Sequence, residues 1–122
     1  MNDKKLTNQD KGANGENVAV AYLLQKGYSI IERNWRHKHS EIDIIAAKEN
    51  KLHFVEVKTR TSKRFGNPEE SVGEKKMNAL KKGAEEYLYQ NQQWQHIQFD
   101  IIAITMKNEI VEEIFFIADV FF

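Results

Sequence analysis

The sequence predicts an α/β or α+β fold, one mixed β-sheet flanked by helices, with elements in the order α-β-β-β-α-β-β. Three observations predict it. Two apolar, β-rich runs, Ile42–Ala47 and Leu52–Val57, flank a polar turn and read as a hairpin. Apolar residues recur at helical spacing in two separate stretches, Val18, Ala19, Tyr22, Leu23 and Met77, Leu80, Ala84, Tyr87, Leu88. Two further runs of β-formers, Ile97–Thr105 and Ile110–Ala118, follow the second helical stretch around a turn at Met106–Glu109.

Taken in order, residues 1–6 read as a loose end. The first helix is predicted from about Asn8 to Lys26, with Thr7 and Asp10 as a capping pair and Gly27 as its stop. Gly12 and Gly15 weaken its interior but allow another backbone to come close. Tyr28–Trp35 reads as a strand and Arg36–Ser40 as a basic loop into the hairpin. Thr61–Glu70, with Gly66 and Pro68, is a long polar connection. Ser71-Val-Gly-Glu74 has the form of a capping box opening a second helix that runs to about Asn91.

A chain of 122 residues, 41% apolar and 30% charged, fits a single globular domain over 1–122. No run approaches a membrane span, and no apolar stretch follows the first residues, so a cytoplasmic protein is expected. The absence of Cys excludes thiol nucleophiles and thiolate metal sites. Formal net charge is zero, but Arg33, Arg36, Lys38, Lys58, Arg60, Lys63 and Arg64 gather around the hairpin. Such a patch can guide a polyanion; a solvated rim explains the charges equally well.

The hairpin carries charges where buried strands carry none. With the turn centred between Glu49 and Asn50, Asp43 faces Glu56 and Glu41 faces Lys58, all on one face. Like charges directly opposite destabilise a sheet, so a cation is needed to hold the carboxylates together. Oxygen ligands suit Mg²⁺ or Mn²⁺, which would take Asp43 and Glu56, with the Val57 carbonyl a further candidate ligand. Lys58, two residues on, would orient a water or stabilise charge developing on a phosphate. Glu41 and Glu16 are candidates for supporting a second cation. The competing reading is an edge hairpin with an ordinary Glu41–Lys58 ion pair, and geometry alone weighs the two evenly. Glu16 falls on the apolar side of the first helix, an unexpected place for a carboxylate, and is expected to point towards the hairpin charges.

A longer pattern breaks the tie. Gly12-x-x-Gly15-Glu16-x-x-Ala19-x-x-Tyr22-Leu23, Gly27-Tyr28 and Arg33-Asn34-Trp35-Arg36 resemble the start of the bacterial YraN family. Glu41-Ile-Asp43-Ile-Ile-Ala46, Phe54-Val-Glu56-Val-Lys58-Thr-Arg60, Gly66-Asn-Pro68 and Phe99-Asp100 continue the match to Ile104. That family is similar to archaeal Holliday-junction resolvases and, by resemblance, has the restriction-endonuclease-like fold of metal-dependent nucleases. The resemblance implies an active-site set of Glu16, Asp43, Glu56 and Lys58, and marks Lys76 as the family's recurrent lysine at the start of the second helix. Ser40 stands where the family usually has Gly, and Gln98 where Arg usually precedes Phe-Asp.

The expectation is therefore a Mg²⁺- or Mn²⁺-dependent nuclease acting on DNA, with branched or damaged substrates favoured because no base-reading element is evident. RNA is not distinguished from DNA. Arg36, Arg60, Lys63, Arg64 and Lys76 are the candidate nucleic-acid contacts, and His37 and His39 are read as surface groups. Asp100, inside an apolar strand, is expected to anchor a Lys or Arg. The apolar ending Ile114–Phe122 admits a two-fold homodimer. Two rival classes remain: a non-catalytic nucleic-acid-binding or adaptor domain, and a purely structural interaction module.

Overall fold

The computed structural model describes residues 8–61 and 73–120. Its elements are α1 (Asn8–Gln25), β1 (Ser29–His37), β2 (Ser40–Lys48), β3 (Lys51–Arg60), α2 (Glu74–Gln90), β4 (His96–Lys107) and β5 (Ile110–Ile117). The predicted order α-β-β-β-α-β-β is the observed one. The five strands form one sheet in the order β1-β2-β3-β4-β5. All neighbours are antiparallel except β3 and β4, which run parallel and are joined through α2.

The helices cover opposite faces. Ala19 and Leu23 of α1 pack on Ile44, Ala46, Val55, Ile102 and Ile104. Leu80, Ala84 and Tyr87 of α2 pack on Ile42, Ile45, Leu52 and Phe54. Phe54 and Val55 thus face opposite ways, as a strand buried on both sides requires. Gly15 brings α1 against β3: a Cβ there would lie 3.1 Å from Thr59 Cβ and overlap its hydroxyl. Gly83 does the same for α2, where a Cβ would come 3.1 Å from Ser40 Cβ. The extra carbon of Ser40, at a position where the YraN pattern has Gly, is thus accommodated by a helix residue lacking one.

Three local expectations are corrected. Arg36 and His37 belong to β1 rather than to a loop, because a tight turn at Lys38–His39 leads straight into β2, with Lys38 at φ 54. The N-cap of α2 is Gly73, which offers no side-chain bond, so Ser71-x-x-Glu74 is not the capping box and Glu74 opens the first turn. The last hairpin turns tightly at Asn108–Glu109, with φ values of 53 and 67, and β4 runs on to Lys107. Ser71, Gly66, Pro68 and Phe121–Phe122 lie outside the described residues. Among the described residues no helix is long and apolar enough to cross a membrane.

Candidate active site

The β2–β3 hairpin has the predicted register: Lys48 pairs with Lys51, Ala46 with His53 and Ile44 with Val55. The ladder ends there, one step before Asp43 and Glu56 would pair, while β3 stays paired with β4 to Arg60. Beyond Ile44 the two strands part. Alternation breaks at the same place, since Ile42 and Ile45 reach the same cluster although they are three positions apart and should face opposite ways. Opposite Asp43, bracketed by the pairs Arg33–Ile44 and Trp35–Ile42, Asn34 has φ 53. Asp43 fills the gap: its Oδ2 accepts the Val57 amide at 2.9 Å, so a side chain takes a bond the ladder no longer supplies.

Three elements converge on this gap. From β3, Glu56 is 2% exposed, and its Oε1 lies 3.2 Å from Lys76 Nζ in the first turn of α2. Its Oε2 is buried without a hydrogen-bond partner. From α1, the buried Glu16 Oε1 lies 3.5 Å from Arg33 of β1, a loose ion pair without a well-formed hydrogen bond, and Asn34 and Arg33 favour its ionised form. Arg33 is held in turn by Asn17, to which it donates at 2.7 Å.

The electrostatics follow from burial. Desolvation raises the Asp43 carboxyl above its ordinary value, and the charge of Glu41 adds to it, against the Val57 amide and Lys76. Glu56 is pushed up to about 7, by desolvation first and by Asp43 second, with Lys76 opposing. Glu16 is raised by burial and by Asp43, which couples α1 to the hairpin. At Lys76 burial works against the charge, but Glu56, Asp43 and Glu41 outweigh it and hold the ammonium up. Three acids are crowded together with fewer donors than they can use.

Other expected contacts fall differently. Glu41 pairs with Arg36 across β1–β2 at 3.3 Å, not with Lys58. Arg36 is thereby occupied, though its side chain remains 72% exposed. Lys58 is half-buried, and among the described residues its side chain makes no ion pair; the cation at Glu56 is Lys76. Arg60 ends β3, half-buried. Lys63 and Arg64 lie outside the described residues. Among the described residues no group of three His, Cys, Asp or Glu side chains is close enough to hold an ion together. The donors that remain, two carboxylates with an orphaned buried oxygen, fit an ion such as Mg²⁺, which typically takes one or two carboxylates and keeps water and phosphate oxygens.

A family model described as "Uncharacterised protein family UPF0102" matches residues 15–104, spanning Glu16, Asp43, Glu56, Lys58 and Lys76. The chain belongs to UPF0102, the YraN family. A UPF0102 protein of Flavobacterium psychrophilum is 50% identical over 95 residues, 78% of this chain and 80% of that one. One from Natranaerobius thermophilus is 43% identical over 119 residues, 95% of this chain and all of its own length. One from Syntrophomonas wolfei is 42% identical over 102 residues, covering 83% and 89%.

Within this UPF0102 chain, sequence reasoning missed the grip of Arg33 on Glu16 and the β-break at Asn34. Asn is among the few residues that tolerate positive φ, so its place in a run of β-formers was the available signal. Asp100 was also misassigned. Among the described residues it anchors no Lys or Arg: its Oδ2 lies 2.7 Å from His53 Nδ1, while its Oδ1 accepts Gln98 Nε2 at 2.8 Å and the Asp119 amide at 2.9 Å. His53 sits on the neighbouring parallel strand two places out of register with Asp100, a proximity visible only once β3 and β4 are paired.

Proposed function

We propose that the protein is a metal-dependent nuclease that hydrolyses phosphodiester bonds in DNA, with structure-selective rather than sequence-selective binding. The observation that carries this reading is the buried Asp43–Glu56 pair at the point where β2 and β3 separate, with Glu56 Oε2 unpartnered. Such an arrangement is costly in a metal-free protein and becomes favourable when a divalent cation enters. Asp43 and Glu56 would hold that cation, Mg²⁺ or Mn²⁺, which supplies Lewis-acid polarisation of a phosphodiester oxygen.

The remaining roles belong to the chain. The Val57 amide fixes the Asp43 carboxylate by one oxygen and leaves the other for a ligand. Lys76 holds Glu56 Oε1 in place, and its opposing charge favours the ionised carboxylate. Lys58, two residues beyond Glu56 on the same strand, would steady an attacking water or the phosphate charge. Glu16, raised by burial, would accept a proton or shape the cleft from the α1 side. Arg36, exposed on β1, would contact the nucleic-acid backbone.

One observation favours a second reading. Lys76 already neutralises Glu56 without any bound ion, which suits a binding or adaptor domain that keeps the fold without the chemistry. Incubation of the pure protein with single-stranded, duplex, flap and four-way-junction DNA, and with RNA, in Mg²⁺ or Mn²⁺ separates the two. Cleavage lost roughly a hundredfold or more in Glu56→Gln and in Lys58→Ala is expected, the scale of losing a principal electrostatic group. Binding without cleavage, or cleavage untouched by either substitution, would overturn the enzyme reading.

A further inference from the structure

At the other end of the hairpin, beside the Glu49–Asn50 turn, lies a cavity of about 270 Å³ lined by Tyr28, Lys48, Glu49, Lys51, His53 and Gln98. Its polar groups are arranged in depth. His53 is 5% exposed, and its Nδ1 is tied to Asp100 at 2.7 Å. Both Asp100 oxygens already face donors, Gln98 and the Asp119 amide on one and His53 on the other, so the network assigns the proton of that pair to Nδ1. That leaves Nε2 as the open nitrogen of the ring, and among the described residues it has no protein partner. Tyr28 meets the His53 ring edge-on at 5.0 Å and walls one side.

The cations are placed in advance. Lys48 Nζ donates to the Lys26 carbonyl at 2.7 Å and sits 5.0 Å over the Tyr28 ring. Lys51 Nζ donates to Gln98 Oε1 at 3.2 Å. Each ammonium has three donors and uses one of them here, so both keep hydrogens for a ligand. Glu49 on the rim offsets one of the two charges and leaves the lining biased towards an anion.

We propose that this cavity binds a phosphomonoester, its phosphate held between Lys48, Lys51 and His53 Nε2 and its organic group resting against Tyr28. A phosphomonoester monoanion presents bare oxygens to the Lys48 and Lys51 ammoniums and one P–OH that donates to His53 Nε2, the acceptor nitrogen in the tautomer that Asp100 sets. The volume exceeds a bare phosphate and accepts part of an attached group. His53 and Glu56 lie on opposite faces of the sheet and three residues apart on β3, roughly 10 Å along the strand, so an occupant here leaves the carboxylate pair open. The same chemistry is offered by a free mononucleotide and by the phosphorylated end of a nucleic acid.

The test is imidazole nitrogen NMR on the full chain, titrated with inorganic phosphate, adenosine monophosphate, a terminally phosphorylated DNA strand and the same strand with a hydroxyl end. A saturable shift of His53 Nε2 with the mononucleotide is expected, weakened roughly tenfold in Lys51→Ala, the loss of one charge-assisted bond. It should persist in Asp43→Asn, which separates it from phosphate bound at the carboxylate pair. Preference for the phosphorylated over the hydroxyl strand makes a nucleic-acid end the ligand; no preference makes it the free monoester. Absence of a saturable shift with every phosphate probe would overturn the proposal. So would a shift that Lys51→Ala leaves unchanged or that Asp43→Asn removes.

Discussion

Two buried acids lie on neighbouring strands of one sheet and have opposite fates. Asp100, on β4, is 1% exposed, and both its oxygens face donors from His53, Gln98 and a backbone amide. Glu56, on β3, is 2% exposed; one oxygen meets Lys76 and the other has no donor beyond the neighbouring Asp43 carboxyl. The first acid joins two strands and a chain segment. The second sits beside Asp43, which raises it further, where the sheet opens. A buried carboxylate with its acceptors filled stabilises a fold, whereas one left short of donors is held in readiness for a ligand.

The largest expected effect tests the filled acid. Asp100→Ala should cost about 3 kcal/mol in urea unfolding, because it strands the buried His53 Nδ1 together with two part-buried donors. Glu56→Gln should have the opposite sign in metal-free protein, stabilising it by about 1–2 kcal/mol at pH 8 by removing an underpaired buried charge. If both substitutions destabilise alike, the contrast between the two acids disappears.

A pH profile sharpens the same contrast. The Glu56 carboxyl rises from 4.5 to about 7 on folding, so in that interval the folded state holds its proton more tightly than the unfolded state. Stability of the metal-free protein is therefore fullest near pH 4.5, falls as pH rises to about 7 and levels off above, with Asp43 adding in the same direction. The full span is of order 3 kcal/mol. Calorimetric melting across this range should show the decline in the wild type and a flatter curve in Glu56→Gln. The smallest effect belongs to Lys76→Met. It should destabilise by about 1 kcal/mol at pH 8 and by less at pH 5, because Lys76 is half-exposed and its partner protonates at low pH.

Much of the fold was legible because its signals are periodic. The strand alternation from Ile44 to Val57 and the helical spacing of Met77–Tyr87 both survive in the structure, and the turn at Glu49–Asn50 set the hairpin register correctly. The site was legible in part, since opposing Asp43 and Glu56 required only that register. What remained hidden depends on contacts between elements far apart in sequence. Lys76 reaches Glu56 because Gly83 lets α2 settle on Ser40, a contact no local pattern encodes, whereas the turn of Glu16 towards the hairpin past Gly15 was among the expectations. The opening of the ladder at Ile44 was invisible for another reason. It arises from broken alternation opposite Asn34, a backbone choice that hydrophobic pattern does not encode.

The most direct measurement is calorimetric titration of the metal-free protein with Mn²⁺ at pH 7.5, alongside Asp43→Asn and Glu56→Gln. Saturable binding to the wild type, accompanied by proton release from the raised carboxyls and lost in both variants, is the expected result. No binding, or equal binding in all three proteins, would contradict the claim that these two acids are buried together to receive a cation.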